Sequence, residues 1–123
     1  MLTEEKVNRL EASLAKLLDD AGATYAFLAD MGGNLICSAG RSDFDGTSLA
    51  VLSAANFAAT REMASLIGEK DFSLLFHRGE NENIHFTRIN PDVLLIVLFK
   101  PYLSLGLLRL KVENVKKEIA SVF

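Results

Sequence analysis

Few side chains in this 123-residue chain have the type and spacing to do chemistry. Cys37, the single cysteine, and His77 and His85, the two histidines, are the candidates for a nucleophile and its base. A reactive thiolate needs a helix N-terminus or a neighbouring cation to lower its pKa, and an oxyanion-stabilising turn beside it. Neither follows Cys37, which falls in a short predicted strand and reads as a partly buried structural thiol. One cysteine also excludes an internal disulfide and any multi-cysteine zinc site. Two histidines on neighbouring predicted strands make a poor zinc site and read as surface or interface residues. Gly32-Gly33 lacks the G-x-x-x-x-G-K-[ST] pattern and precedes a strand instead of a helix, so it reads as a hairpin turn. Asp43-Phe44-Asp45-Gly46 lacks the remaining ligands and closing glutamate of a calcium loop, and reads as a solvated loop and helix cap. Arg61 and Arg109 are the arginines considered as transition-state fingers. Arg61 reads as a docking or solvated charge and Arg109 as locally paired. No catalytic residue, cofactor-binding residue or metal ligand is therefore assigned, and no cofactor is expected.

Composition agrees with a binding module. Hydrophobic residues make up 50% and charged residues 24%, as in a globular chain, and the length suits one domain spanning 1–123. The net charge of −3 and pI near 5.3 argue against nucleic acid, which requires a dense basic face. The longest apolar run, residues 93–99, is strand-sized and far short of a membrane span, so no membrane insertion is expected. No signal-like pattern opens the chain, and the expected location is cytoplasmic.

The elements that must position these residues follow from periodicity. Val7, Leu10, Leu14, Leu17, Leu18 and Ala21 recur at spacings of three and four, predicting a helix over 3–21 with Thr3 as cap and Gly22 as stop. Residues 24–29 and 35–38 predict a hairpin around Asp30–Asn34. Thr47 or Ser48 is the expected cap of a second helix reaching Ile67. That helix is alanine-rich and has two apolar edges. Leu52, Met63, Leu66 and Ile67 form one; Val51, Ala54, Ala58 and Ser65 form a smoother, almost uncharged one. One edge must face the core, leaving the other buried too or kept for a partner. Residues 72–77, 83–89 and 93–99 predict three more strands, with 93–99 central and 71–77 at an edge. A strand apolar on both faces must be covered on both. The last helix carries the stripe Leu108, Val112, Val115, Ile119 and Val122. The expected fold is α+β, an α/β/α sandwich in the order α-β-β-α-β-β-β-α. Its five-stranded antiparallel sheet has the middle helix on one face and the two terminal helices on the other.

Four stretches then carry a family resemblance. They are the hairpin Tyr25-Ala26-Phe27-Leu28-Ala29-Asp30-Met31-Gly32-Gly33-Asn34-Leu35-Ile36, the alanine-rich helix after a Gly/Asp loop, the apolar strand ending in Phe99-Lys100, and Leu105-Gly106-Leu107-Leu108-Arg109-Leu110. In this order the chain resembles the Roadblock/dynein light-chain domains, and more closely the bacterial MglB-like proteins. The resemblance implies a Roadblock (profilin/longin-like) fold and a dimer, expected as a homodimer with a heterodimer left open, joined through the edge strand, Phe72, Ser73, Leu74, Leu75, Phe76 and His77, with Val51, Ala54 and Ala58 of the middle helix. It implies binding of the GTP form of a Ras-like, MglA-type small GTPase through Ala50, Ala54, Ala58, Arg61 and Ser65. Stimulated GTP hydrolysis without a hydrolase site of its own is implied too, in the setting of cell polarity and gliding motility. Physical reasoning reaches part of this separately: an apolar edge strand needs a partner, and a smooth alanine face permits close helix approach with little side-chain entropy to lose. A non-catalytic scaffold that only holds a GTPase, and a small-molecule sensor with a polar-lined cavity, remain alternatives.

Overall fold

The computed structural model describes residues 2–41, 43–72 and 75–123; Ser73 and Leu74 of the expected edge strand fall outside the described residues. The elements are α1 (Glu4–Ala21), β1 (Tyr25–Asp30), β2 (Leu35–Gly40), α2 (Gly46–Leu66), β3 (Leu75–His77), β4 (Asn83–Asn90), β5 (Val93–Phe99) and α3 (Leu105–Val122). This is the expected order.

Local chemistry sets the element ends. Thr3 Oγ1 accepts from the Lys6 backbone N–H at 3.2 Å and starts α1, and Gly22, at φ 70°, stops it. In the β1–β2 turn, Asp30 Oδ1 accepts from the backbone N–H groups of Asn34 at 2.9 Å and Gly32 at 3.0 Å. These donors, the Asn34 amide foremost, hold the Asp30 carboxyl below the usual carboxylate range. The cap of α2 differs from expectation. It is Asp45, whose carboxylate accepts from the Ser48 backbone N–H at 3.1 Å and the Ser48 hydroxyl at 2.7 Å. A carboxylate takes both donors and suits the positive helix end better than the Thr47 or Ser48 hydroxyl.

The sheet order is β2-β1-β5-β4-β3, antiparallel throughout, with β5 central and β3 at an edge. All seven β5 residues are buried, which divides the core in two. Val93, Leu95, Val97 and Phe99 pack with α1 and α3, while Leu94, Ile96 and Leu98 face α2. The α2 side of the sheet is bulky, with Tyr25, Phe27 and Phe86 beside the β5 leucines and isoleucine. One end of the sheet is tied by Glu82, whose carboxylate meets Lys100 Nζ at 3.0 Å, Arg41 Nη1 at 3.2 Å and Thr24 Oγ1 at 3.4 Å. No helix among the described residues is long and apolar enough to cross a membrane.

The edge strand does not reach back to Phe72, where its alternation predicts it to begin. β3 holds Leu75, Phe76 and His77, paired with Phe86, His85 and Ile84. Phe72, expected in the strand, lies outside it. Its backbone N–H donates to Asp71 Oδ1 at 3.0 Å, and the Asp71 carboxylate also meets Arg88 at 3.6 Å. A local side-chain acceptor thus takes the amide that a ladder would have used.

Candidate interaction surface

The residues considered for nucleophilic chemistry are not brought together. Cys37 pairs opposite Leu28 and sits in the α1–α3 core, where burial, with Glu11 adding to it, pushes its thiol up to about 12. His85 faces the same side of the sheet, but three strand spacings intervene, about 14 Å. His77 and His85 occupy adjacent strands and point to opposite faces. His85 lies across from Phe76, whereas the His77 ring meets Phe86 edge-on at 5.5 Å on the α2 side. No group among the described residues could hold a metal ion.

The geometry of α2 decides the surface. Its core stripe is Ala50, Ser53, Ala54, Phe57, Thr60 and Ala64. Of the two edges anticipated from the sequence, only Ala54 faces the sheet. The sheet supplies the bulk on this side, so the helix that lies on it must be small; Phe57 is its one buried large side chain, with the half-buried Leu49 packed beside it. Leu52, Met63, Leu66 and Ile67 are consequently 65%, 55%, 85% and 69% exposed. Ala50 and Ala54, expected on the partner surface, are 0% and 4% exposed and offer a partner no side-chain area.

Two flanks of α2 remain open, and they look in opposite directions. Asn56 Nδ2 lies 3.0 Å from His77 Nε2, which places the Asn56 stripe over the β3 edge. Leu52, Ala59 and Met63 share that stripe at helical spacing. The other flank looks toward the β1–β2 turn, where a Cβ on Gly33 would come 3.2 Å from Val51 Cα. Here Ala58, Arg61, Glu62 and Ser65 line an open groove with Met31. Val51, Ala54 and Ala58 were grouped with the edge strand as one self-pairing surface. In the single chain Val51 and Ala58 lie on the flank toward the β1–β2 turn, and Ala54 is buried. Ala58, Arg61 and Ser65, expected to meet a partner, do lie together. Taking Phe57, the one aromatic of α2, as the inward anchor turns Leu52, Ala59 and Met63 outward.

Arg109, expected to pair locally, makes no ion pair among the described residues. It lines a cleft with His85, Thr87 and Lys116 between β4 and α3.

Comparison with known proteins follows this geometry. Residues 9–99 match the family model described as the Roadblock/LC7 domain. Myxococcus xanthus MglB has a solved structure 39% identical in sequence, with a TM-score of 0.92 over 100% of this chain and 93% of that one. A structure described as MglB with tetrameric arrangement is 27% identical, with a TM-score of 0.91 over 99% of this chain and 93% of that one. The gliding protein MglB of Thermus thermophilus is also 27% identical over 99% of this chain and 93% of that one, with a TM-score of 0.88. Comparison with curated proteins gives no significant match. With the sheet order, the covering helices and a full-length match at this identity in agreement, the chain belongs to the Roadblock/LC7 domain family, as an MglB-like member.

Proposed function

We propose that this chain acts as a homodimer that binds the GTP form of a Ras-like, MglA-type small GTPase and stimulates its hydrolysis, contributing no hydrolase site of its own. The observation that carries the reading is the pair of exposed flanks on α2. An apolar stripe of Leu52, Ala59 and Met63 runs beside the open β3 edge, and a second surface of Ala58, Arg61 and Ser65 opens away from it. One helix thus serves two contacts. Edge-to-edge pairing of β3 with its copy covers the unpaired strand and stacks the two apolar stripes across a two-fold axis. The two outer flanks then lie on one side of a continuous sheet, where a GTPase can span both copies. In this arrangement Leu75, Phe76 and His77 belong to the self-interface together with Leu52, Asn56, Ala59 and Met63. Val51, Ala58, Arg61 and Ser65 belong to the GTPase surface. The Thermus thermophilus relative, described as a gliding protein, supports a gliding-motility setting.

The test is retention of a GTPase from the source cells on immobilised protein with a GTP analogue and with GDP, followed by single-turnover hydrolysis with the retained partner. Retention favouring the GTP analogue, with faster hydrolysis, supports the proposal. Retention indifferent to nucleotide with an unchanged rate would replace it with the scaffold reading. Ala58→Arg should abolish retention and leave the dimer intact.

A further inference from the structure

We infer that the cleft between β4 and α3 is a binding site for a small carboxylate, held between the Arg109 guanidinium and the His85 imidazole. The cleft has a volume of about 210 Å³. Its lining takes Leu75 from β3 and Phe57 from the inner face of α2 but none of the exposed residues of the two α2 flanks, and the inference does not rest on GTPase binding.

His85 is the informative residue. Its side chain is 4% exposed on a strand whose other inward positions are apolar or amide, and a buried polar group needs partners. Its Nδ1 lies 3.2 Å from Thr87 Oγ1. Nε2 makes no hydrogen bond among the described residues, yet no buried side-chain polar atom among them lacks a partner. The His85 side chain lines the cleft.

The charges lining the cleft select the ligand. From α3 come Arg109, Glu113 and Lys116; from β4, Arg88; from the segment before β3, Asp71; α2 contributes only the Phe57 ring. Arg88 is paired with Asp71 at 3.6 Å, and Lys116 reaches Glu113 at 4.0 Å. Three cations against two carboxylates leave one positive charge in surplus, and Arg109 is the cation without an ion pair among the described residues. That balance suits a monoanion. A dianion such as phosphate would meet Glu113 and Asp71 at close range. Apolar walls from Phe57, Phe86 and Val112 accommodate a short aliphatic or aromatic body behind the carboxylate. The guanidinium offers a charge-assisted fork to the carboxylate, and the imidazole Nε2–H donates a further hydrogen bond.

Binding is coupled to a proton. Burial first, then the Arg109 charge, push the free His85 imidazole down to about 4. A carboxylate beside it neutralises Arg109 and favours the imidazolium, so His85 takes up a proton more readily when the site is filled. Affinity must then rise as pH falls toward the carboxylate's own pKa.

The experiment uses the full chain with benzoate as probe and reads the histidine ring resonances by NMR at about pH 5.5 and about pH 7.5. Saturable movement of the His85 resonances is expected, with His77 unmoved and with binding at least about threefold tighter at the lower pH. Arg109 is exposed, so Arg109→Ala should keep the fold, verified by an unchanged melting curve, and weaken benzoate binding about tenfold or more. Inorganic phosphate should bind more weakly than benzoate. Non-saturating shifts, equal movement of His77, equal affinity of Arg109→Ala, or tighter binding of phosphate would each overturn the assignment.

Discussion

Replacing Met63 with glutamate should break the dimer while leaving each protomer folded. Met63 is 55% exposed on α2 beside the β3 edge, and Leu52 on the same stripe is 65% exposed. At about 25 cal/mol per Å², burying the exposed part of either side chain against a second copy stabilises the assembly by about 1–2 kcal/mol. A two-fold axis repeats each contact, so the substitution removes about 2–4 kcal/mol of burial. Stranding two facing carboxylates in an apolar seam adds about 1–3 kcal/mol more. A total of roughly 3–7 kcal/mol raises the dissociation constant by about two to five orders of magnitude. Sedimentation velocity across a micromolar concentration series would resolve this, with circular dichroism to verify the fold. Ala58→Arg, on the opposite flank of the same helix, is the matched control and should sediment as the native protein does. A dimer of undiminished stability in Met63→Glu, or dissociation of Ala58→Arg in its place, would refute the assignment of flanks.

Three further outcomes are expected. His85 titrates near 6.5 when unfolded but near 4 in the folded chain, so the unfolded state binds more protons between these values. Stability is therefore full above about pH 6.5 and declines toward about pH 4, by about 3 kcal/mol at the lower end. Chemical denaturation across this window would measure the decline, and His85→Gln should flatten it. Gly40 has φ 102°, and a Cβ there would strike the Thr24 carbonyl oxygen. Gly40→Ala should accordingly cost about 2 kcal/mol or more and lower Tm by several degrees in a calorimetric scan. Glu82→Gln removes the one carboxylate shared by Arg41, Lys100 and Thr24, and should cost about 1 kcal/mol in a denaturant titration at low salt. That difference should shrink at high salt.

Much of the architecture could be read directly from residue order because each signal was local. The three- and four-residue spacing from Val7 to Ala21 marks α1, and Gly22 ends it at φ 70°. The Asp30–Asn34 turn carries its own hydrogen-bond acceptor. The uninterrupted apolar run from Val93 to Phe99 requires cover on both faces, which places β5 at the centre and the helices on either side. These features depend on neighbours a few residues apart, and periodicity records them.

The candidate surface was only half legible, for a different reason. Which face of α2 turns inward depends on the volume that β1, β4 and β5 present to it, and no spacing within residues 46–66 encodes that volume. Leu52 and Met63 look like core residues on hydrophobicity alone. The aromatic-rich sheet leaves room for alanine, serine, threonine and the single Phe57, and so forces them outward. Phe72 likewise lies outside β3 with its amide captured by Asp71, a competition that strand alternation does not register. The placement of His85 opposite Arg109 joins β4 to α3 across the sheet face. Local pattern thus specified the elements and their order. Packing between elements decided which side chains the folded chain leaves for others to meet.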